Sequence, residues 1–373
     1  MSERNAMDTQ NLPFRAEHVG SLLRPRKLKQ ASDAYKKGTL SESEFHATRE
    51  QEIARVVKLQ ESVGLQSITD GEFCRSSWFG FFFERLQGLS LKPSLFRFHD
   101  EHGHDYEWHT CYANGKMRRE HPICTAEFER LQRLTHETPK ANMPSPSAFH
   151  FFRGDQCRDA SVYPDIEEWW DDLEKIYRAE IQALAKTGCR YLQMDEVPLA
   201  MLCDSDVRQQ VAEMGRDPDD LTRRYITTIN KVLEARPAEM TVGMHLCRGN
   251  FRSRWMAQGG YEPVAQHLFH SLNVDAFFLE YDTPRAGDFA PLRFMAGDKK
   301  VVLGLVSSKT AELEDKNALK HRIDQATAYV PLERLSISPQ CGFASVAGGN
   351  SLSEEEQMRK LALVVDVARE VWG

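Results

Sequence analysis

No run in this sequence approaches the roughly 18 to 20 consecutive apolar residues needed to span a bilayer, and Met1–Pro13 is polar, with no signal-peptide core. The expectation is a cytoplasmic protein with no membrane partner. An excess of basic charge is missing too. Lys and Arg number 48 against 55 Asp and Glu, for a formal charge of -7, and the basic residues are scattered along the chain. That distribution excludes an electrostatic footprint for nucleic acid. One compact cluster, Arg24-Pro25-Arg26-Lys27-Leu28-Lys29, reads as the solvated start of a helix, with contact to an anionic substrate group as the second reading. Glycine-rich phosphate turns are absent: there is no G-x-G-x-x-G and no Walker sequence, which argues against a nucleotide-binding open sheet. The cysteines are few and dispersed, eight in all, so they are buried thiols or metal ligands before they are a disulfide framework.

What is present is material for a large core, with 41% hydrophobic and 28% charged residues over 373 positions. Short apolar or β-branched segments alternate with amphipathic stretches. The candidate strands are Ala16–Leu22, Gln66–Glu72, Ala141–Phe149, Arg190–Glu196, Thr241–Cys247, Ala276–Asp282, Val301–Ser307 and Leu335–Cys341. Between them, Ile166, Trp169, Trp170, Leu173, Ile176, Tyr177, Ile181 and Leu184 stripe one face of a helix closed by Gly188, and Ser41 with Glu44 reads as a capping box. Eight such units predict an α/β fold, a single (β/α)8 TIM-type barrel over residues 1–373. An excursion at about 86–138, between the second and third strands, interrupts the rhythm and reads partly as a β-hairpin over the mouth. Its histidines, His99, His102, His104 and His109, lack the spacing of a ligand set and read as solvated.

In a barrel of this kind reactive groups collect at the carboxyl ends of the strands. The polar residues here do so: His18 and Ser21, Asp70 and Glu72, Asp195 and Glu196, His245 and Cys247, Glu280 and Asp282, Ser307 to Lys309, and Cys341. His-x-Cys alone is a weak signal. Glu280, however, follows the apolar run Ala276-Phe-Phe-Leu, and a buried carboxylate needs a partner or a metal. Three strand ends thus bring His245, Cys247, Glu280 and Cys341 to one mouth, a mixture of N, S and O donors that suits zinc. Cys74, Cys111, Cys124, Cys157, Cys189 and Cys203 are less well placed and read as structural thiols.

These residues, with His18-Val-Gly-Ser-Leu-Leu-Arg-Pro25, Ile68-Thr-Asp-Gly-Glu72, Tyr191-Leu-Gln-Met-Asp-Glu196, His245-Leu-Cys-Arg-Gly-Asn250, Phe278-Leu-Glu-Tyr-Asp282 and Ser338-Pro-Gln-Cys-Gly-Phe343, make the chain resemble the cobalamin-independent methionine synthase family, specifically its catalytic C-terminal barrel and short single-barrel relatives. The resemblance implies Zn2+ held by His245, Cys247, Glu280 and Cys341, turning the thiol of homocysteine or a similar amino-thiol into a nucleophile. It also implies that Ser21, Glu72 and Asp195 hold the amino-acid part, with His18 and Glu196 beside them. The donor side departs from the family. A histidine acid belongs near the end of the seventh strand, where this chain has Gly304-Leu-Val-Ser-Ser-Lys-Thr310, leaving Lys309 as the candidate acid and Asp282 as a second candidate catalytic group. The family's folate-contacting N-terminal barrel has no counterpart in this chain. Methyl-tetrahydrofolate, another methyl or alkyl donor, or a methyl-carrying partner protein all stay open, as does a homo-oligomer. A rival activity is that of the epoxyalkane:coenzyme M transferases, for which Arg24 or Arg15 at the mouth would be the mark; a non-catalytic zinc barrel is the third reading. The run Trp78-Phe-Gly-Phe-Phe-Phe83 is expected to pack in the core, with stacking on a flat donor as the lesser expectation.

Overall fold

The computed structural model describes residues 12–99 and 104–373; His102 and Met1 to Asn11 lie outside them. Two helices open the described chain, α1 (Arg26–Lys36) and α2 (Glu42–Val63), the latter started by the Ser41–Glu44 capping box. The first strand, β1 (Ser67–Ile68), is two residues long. In the excursion, β2 (Gln87–Pro93) pairs antiparallel with β5 (His109–Arg118), and β3 (Phe98–His99) with β4 (Asp105–Tyr106). Then follow β6 (Thr138–Pro139), β7 (Ala141–Pro144), β8 (Tyr191–Asp195), β9 (Thr241–Leu246), β10 (Ala276–Glu280), β11 (Lys300–Val306) and β12 (Leu335–Pro339).

β7 to β12 form one six-stranded parallel sheet in sequence order, and β1 pairs in parallel with β6. Its strands are near-continuous apolar runs, such as Ala276-Phe-Phe-Leu and Val301-Val-Leu, because helices cover the sheet and leave neither face to water. The helix Ile166–Lys186 is one of these, with Trp169, Trp170, Leu173, Tyr177, Ile181 and Leu184 all buried and Asp165 capping its start.

Among the described residues no closed eight-stranded ladder is present. The expected first strand, Ala16–Leu22, reduces to a single parallel bridge between Ala16 and Ile337. The reason is local: side chains, not a neighbouring strand, take up the carbonyls of His18, Val19 and Gly20. Asn142 Nδ2 and Gln193 Nε2 both donate to the Val19 carbonyl, Lys140 Nζ to that of His18, and Thr69 Oγ1 to that of Gly20. The second segment breaks after Ile68 into the Asp70-Gly71-Glu72 turn, and the third stops at Pro144 because Pro146 leads into the helix Ser147–Phe151.

The amino-terminal end of the strands is closed by a buried polar knot. Glu17 accepts from Ser67 Oγ (2.7 Å), Tyr191 Oη (2.9 Å) and the Phe14 amide (3.1 Å), and pairs with Lys140 Nζ at 3.3 Å. Leu12, Tyr191, Phe278 and Val302 pack together at this end. Removing one member of a buried ion pair strands the other charge, at a cost of roughly 3–5 kcal/mol. Lys140→Met is therefore expected to lower the unfolding free energy by about that amount in urea titrations, and adding Glu17→Gln to recover part of it. A single variant as stable as the parent would remove the ion pair from the account.

Candidate active site

Strand pairing sets the centre of the site. Asp195 at the end of β8 lies in register with His245 of β9, and Cys247, two residues on, shares the side of His245. Cys341 follows β12. The Cys247 and Cys341 sulfurs are 3.7 Å apart, and the three ligand atoms of His245, Cys247 and Cys341 all lie within 4.8 Å of one another, fully buried. These are residues that could hold a metal ion.

His245 Nδ1 lies 3.0 Å from Asp195 Oδ1, and Nε2 lies 3.4 Å from the Gln340 carbonyl. Burial disfavours the imidazolium, but Cys247 and Asp195 outweigh it and raise its pKa to about 10. The Cys247 thiol is raised by its hydrogen bond with Cys341 and by burial.

Glu280 stands apart from this triad. Its Oε2 accepts from the Arg248 amide (2.7 Å), its Oε1 from Arg285 (2.8 Å), and Lys309 Nζ is 3.6 Å away. Burial alone would raise its pKa; Lys309, Arg285 and Arg248 together bring it well below the ordinary value. Lys309, the candidate acid, is thus a counter-ion of Glu280 and does not line the cavity beside the triad. Asp282 does not line it either and sits near Lys309, its pKa raised by burial.

That cavity, of about 200 Å³, is bounded by Trp78, Phe79, Trp108, Phe152 and Phe251, with Ser21, Glu72 and Asp195 as polar members. Trp78 and Phe79 thus belong to the cavity, while Phe81, Phe82 and Phe83 pack in the core, so the aromatic run divides between its two expected uses. Phe98 and Trp108 come from the excursion: Phe98 stacks on Phe251 (5.1 Å) and Trp108 meets Phe152 edge-on (4.5 Å). No sequence signal marked these two, since an aromatic in a hairpin reads as ordinary β-propensity.

Glu72 is held in strain. Its φ is 61°, in the left-handed region, with its amide donating to Asp70 Oδ1 (2.9 Å) and its carbonyl accepting from Arg24 (2.7 Å). Its Oε2 is buried without a partner, and Arg75 lies 3.5 Å from Oε1. Burial pushes this carboxyl up to about 7, against the pull of Arg75. Ser21 presses on the Cys341 loop so closely that a Cβ at Gly342 would lie 1.9 Å from its Oγ.

Two expected substrate contacts are elsewhere. His18 Nε2 bonds the Ser67 carbonyl (3.0 Å), and burial, with Lys140 nearby, lowers its pKa to about 3. Glu196 faces away from Asp195, as successive strand residues must; it accepts from Ser145, Ser147 and the Leu199 amide. Arg15 bonds the Glu333 and Leu335 carbonyls, and Arg24, far from solvated, is buried on the carbonyls of Glu72, Arg75 and Ala344. Neither lines the cavity.

Residues 14–370 match the family model described as "Cobalamin-independent synthase, Catalytic domain". The chain belongs to the cobalamin-independent methionine synthase family. It is 40% identical to the uncharacterized protein YxjH of Bacillus subtilis, over 96% of this chain and 95% of that one. A putative vitamin-B12 independent methionine synthase from Listeria monocytogenes has a similar solved structure, at 35% identity and a TM-score of 0.74, covering 97% of this chain and 98% of that one. A 5-methyltetrahydropteroyltriglutamate–homocysteine methyltransferase of Thermotoga is 21% identical over 89% of this chain but only 42% of its own length. As a methyltransferase-family fold, this chain has no helix, among the described residues, long and apolar enough to cross a membrane.

Two outcomes follow for the site. Asp195→Asn, which keeps an acceptor oxygen but removes the charge facing His245 Nδ1, is expected to weaken metal binding by roughly 10–100-fold in chelator competition; unchanged affinity would break the link. Glu72 is neutral in the fold up to about pH 7 but ionises near its ordinary value when unfolded, so it costs stability that grows as pH rises and is complete above 7. Glu72→Gln should therefore raise the melting temperature above pH 7, by up to about 3 kcal/mol of stability, with little gain at pH 4.

Proposed function

We propose that this protein is a zinc-dependent thiol S-methyltransferase that converts homocysteine to methionine. The observation that carries the reading is the buried His245, Cys247 and Cys341 triad at the base of a cavity that also presents Glu72 and Asp195. Two sulfurs at about 2.3 Å from a tetrahedral zinc would stand about 3.8 Å apart. The 3.7 Å between Cys247 and Cys341 fits that edge. Asp195 engages His245 Nδ1, so Nε2 is the nitrogen left for an ion.

Glu280 is the fourth donor of the proposal. Its oxygens are also engaged by Arg285 and the Arg248 amide, so it would hold the ion in competition with those hydrogen bonds. Bound zinc would supply the positive charge that keeps a substrate thiol deprotonated at neutral pH. The chain's own residues do the rest. Glu72, with one bare oxygen, and Asp195 hold the ammonium group, and Ser21 adds a hydroxyl. A sulfonate would find two carboxylates there and no Lys or Arg among the described lining residues, which favours an amino-thiol over coenzyme M.

The aromatic walls suit a flat donor, and the proposed donor is a methylated tetrahydropteroyl polyglutamate. Its methyl carbon bonds the thiolate sulfur while the carbon–nitrogen bond breaks, and the departing nitrogen takes a proton. Lys309 is held by Glu280, so the acid is reassigned to His109, the one imidazole besides His245 among the described lining residues. On this reading the chain is one catalytic domain, its eight segments closing into a (β/α)8 barrel, with the side-chain bonds to the His18, Val19 and Gly20 carbonyls standing in for a missing ladder.

Zinc-loaded protein given homocysteine and the methylated pteroyl donor should release methionine, detected by mass spectrometry; no thioether with this donor or its mono-glutamyl form would sink the proposal. Cys341→Ser is expected to lower zinc content and product together, and full zinc stoichiometry in that variant would remove Cys341 from the ligand set. Methionine affinity should fall about ten-fold per pH unit below pH 7, as Glu72 loses its charge, and Glu72→Gln should flatten the profile. His109→Gln should slow transfer from the pteroyl donor but not from trimethylsulfonium, whose neutral sulfide leaves without a proton; equal slowing would exclude the acid role.

A further inference from the structure

Among the described residues that line the cavity, two carry a buried polar side-chain atom with no hydrogen-bond partner: Glu72 Oε2 and Asn250 Oδ1. The ammonium group proposed above accounts for the first. It leaves the second.

Asn250 follows Cys247 by three residues and is 6% exposed. Its Nδ2 donates to the Gly342 carbonyl at 2.9 Å. A carbonyl can only accept, so the amide nitrogen is the atom that belongs on the Gly342 side, and the oxygen is turned away from it. The backbone of the residue is held as well, because Ser345 Oγ donates to the Asn250 carbonyl. The side chain is therefore fixed before any ligand arrives, and what it presents is an acceptor.

The two residues that hold Asn250 tie it to both halves of the cavity. Gly342 follows Cys341, whose thiol belongs to the metal-ligating triad. Ser345 accepts the Trp78 amide on its own carbonyl, at 2.8 Å. The next residue along, Phe251, is stacked on Phe98 (5.1 Å). Asn250 is thus placed where the thiols end and the aromatic walls begin.

An ammonium group brings three N–H bonds. Glu72 Oε2, the second oxygen of Asp195 and Ser21 Oγ offer three acceptors, so the amino-acid side asks nothing of Asn250. A neutral amide oxygen also competes poorly with two carboxylates for a cation. It suits an uncharged N–H, carried at the edge of a flat molecule of the kind that aromatic walls accept. A buried acceptor left without a donor costs binding free energy, so Oδ1 favours a ligand that carries this N–H and rejects one that lacks it.

We infer that Asn250 is a specificity-determining residue, whose Oδ1 accepts a hydrogen bond from an N–H at the edge of the methyl donor's flat head. The pterin identity of that head rests on the function proposed above; the preference for an uncharged N–H does not.

The test is a calorimetric titration of the zinc-loaded full chain with 6-methyltetrahydropterin, a head without a tail, and separately with methionine. The parent is expected to saturate one site with each. Asn250→Leu keeps the size of the side chain and removes the acceptor, so it should bind the pterin at least about ten-fold more weakly and methionine within about two-fold of the parent. Asn250→Asp keeps an acceptor oxygen but loses the Nδ2 bond to Gly342, so its pterin affinity should stay within about three-fold of the parent. A residue that merely braced the Cys341 loop would lose pterin binding equally in both variants. Zinc content and melting temperature check that each variant is folded. No saturable pterin binding to the parent, unchanged affinity in Asn250→Leu, equal losses in the two variants, or a matching loss for methionine would overturn the assignment. Pterin binding that follows Asn250 as expected, with no thioether from the methylated pteroyl donor, would overturn the proposed reaction alone. A thioether from that donor, with pterin affinity unchanged in Asn250→Leu, would overturn the role of Asn250 alone.

Discussion

The contact between Asp195 and His245 is the interaction on which the mouth of this protein depends. It arises from strand register, since the two residues are neighbours across β8 and β9. It fixes which imidazole nitrogen faces the thiols, and it commits one oxygen of Asp195, Oδ1, leaving Oδ2 as the one for a substrate. Gln193 holds the same Asp195 oxygen at 2.8 Å and also reaches the Val19 carbonyl, so the orientation of the histidine is tied to the position of the first segment and of Ser21 beyond it. A shift of one residue between β8 and β9 would undo all of this together.

Much of this was legible in the residues themselves. His245, Cys247 and Cys341 announced themselves by standing at the ends of apolar runs, and the sheet brings them together. Glu280 was legible as a buried carboxylate needing a partner, but nothing local foretold that the partners at hand would be Arg285, five residues on, and the Arg248 amide. Glu196 was misread for a simple geometric reason: adjacent acidic residues at a strand end cannot both face one cavity. The first strand was misread because an extended segment held by side chains has the same hydrophobic pattern as one held by a ladder. Phe98 and Trp108 could not be assigned at all, since the packing of a hairpin over a mouth is decided by contacts some 150 positions away, such as Phe98 on Phe251.

Strain and an unmet polar group coincide at one residue of the site. Glu72 combines a left-handed backbone with a bare carboxylate oxygen, and Arg24 spends its guanidinium on holding the surrounding carbonyls in place. At the opposite end of the strands every oxygen of Glu17 is satisfied. The contrast separates a functional end from a stabilising one more clearly than composition does, because both ends are buried and both contain charges.

The knot of Glu17 and Lys140, backed by Leu12, Tyr191, Phe278 and Val302, also makes the site a cul-de-sac. Among the described residues the floor behind the cysteines is packed shut, so the aromatic walls at the other ends of the strands are the part of the cavity that a substrate has to meet.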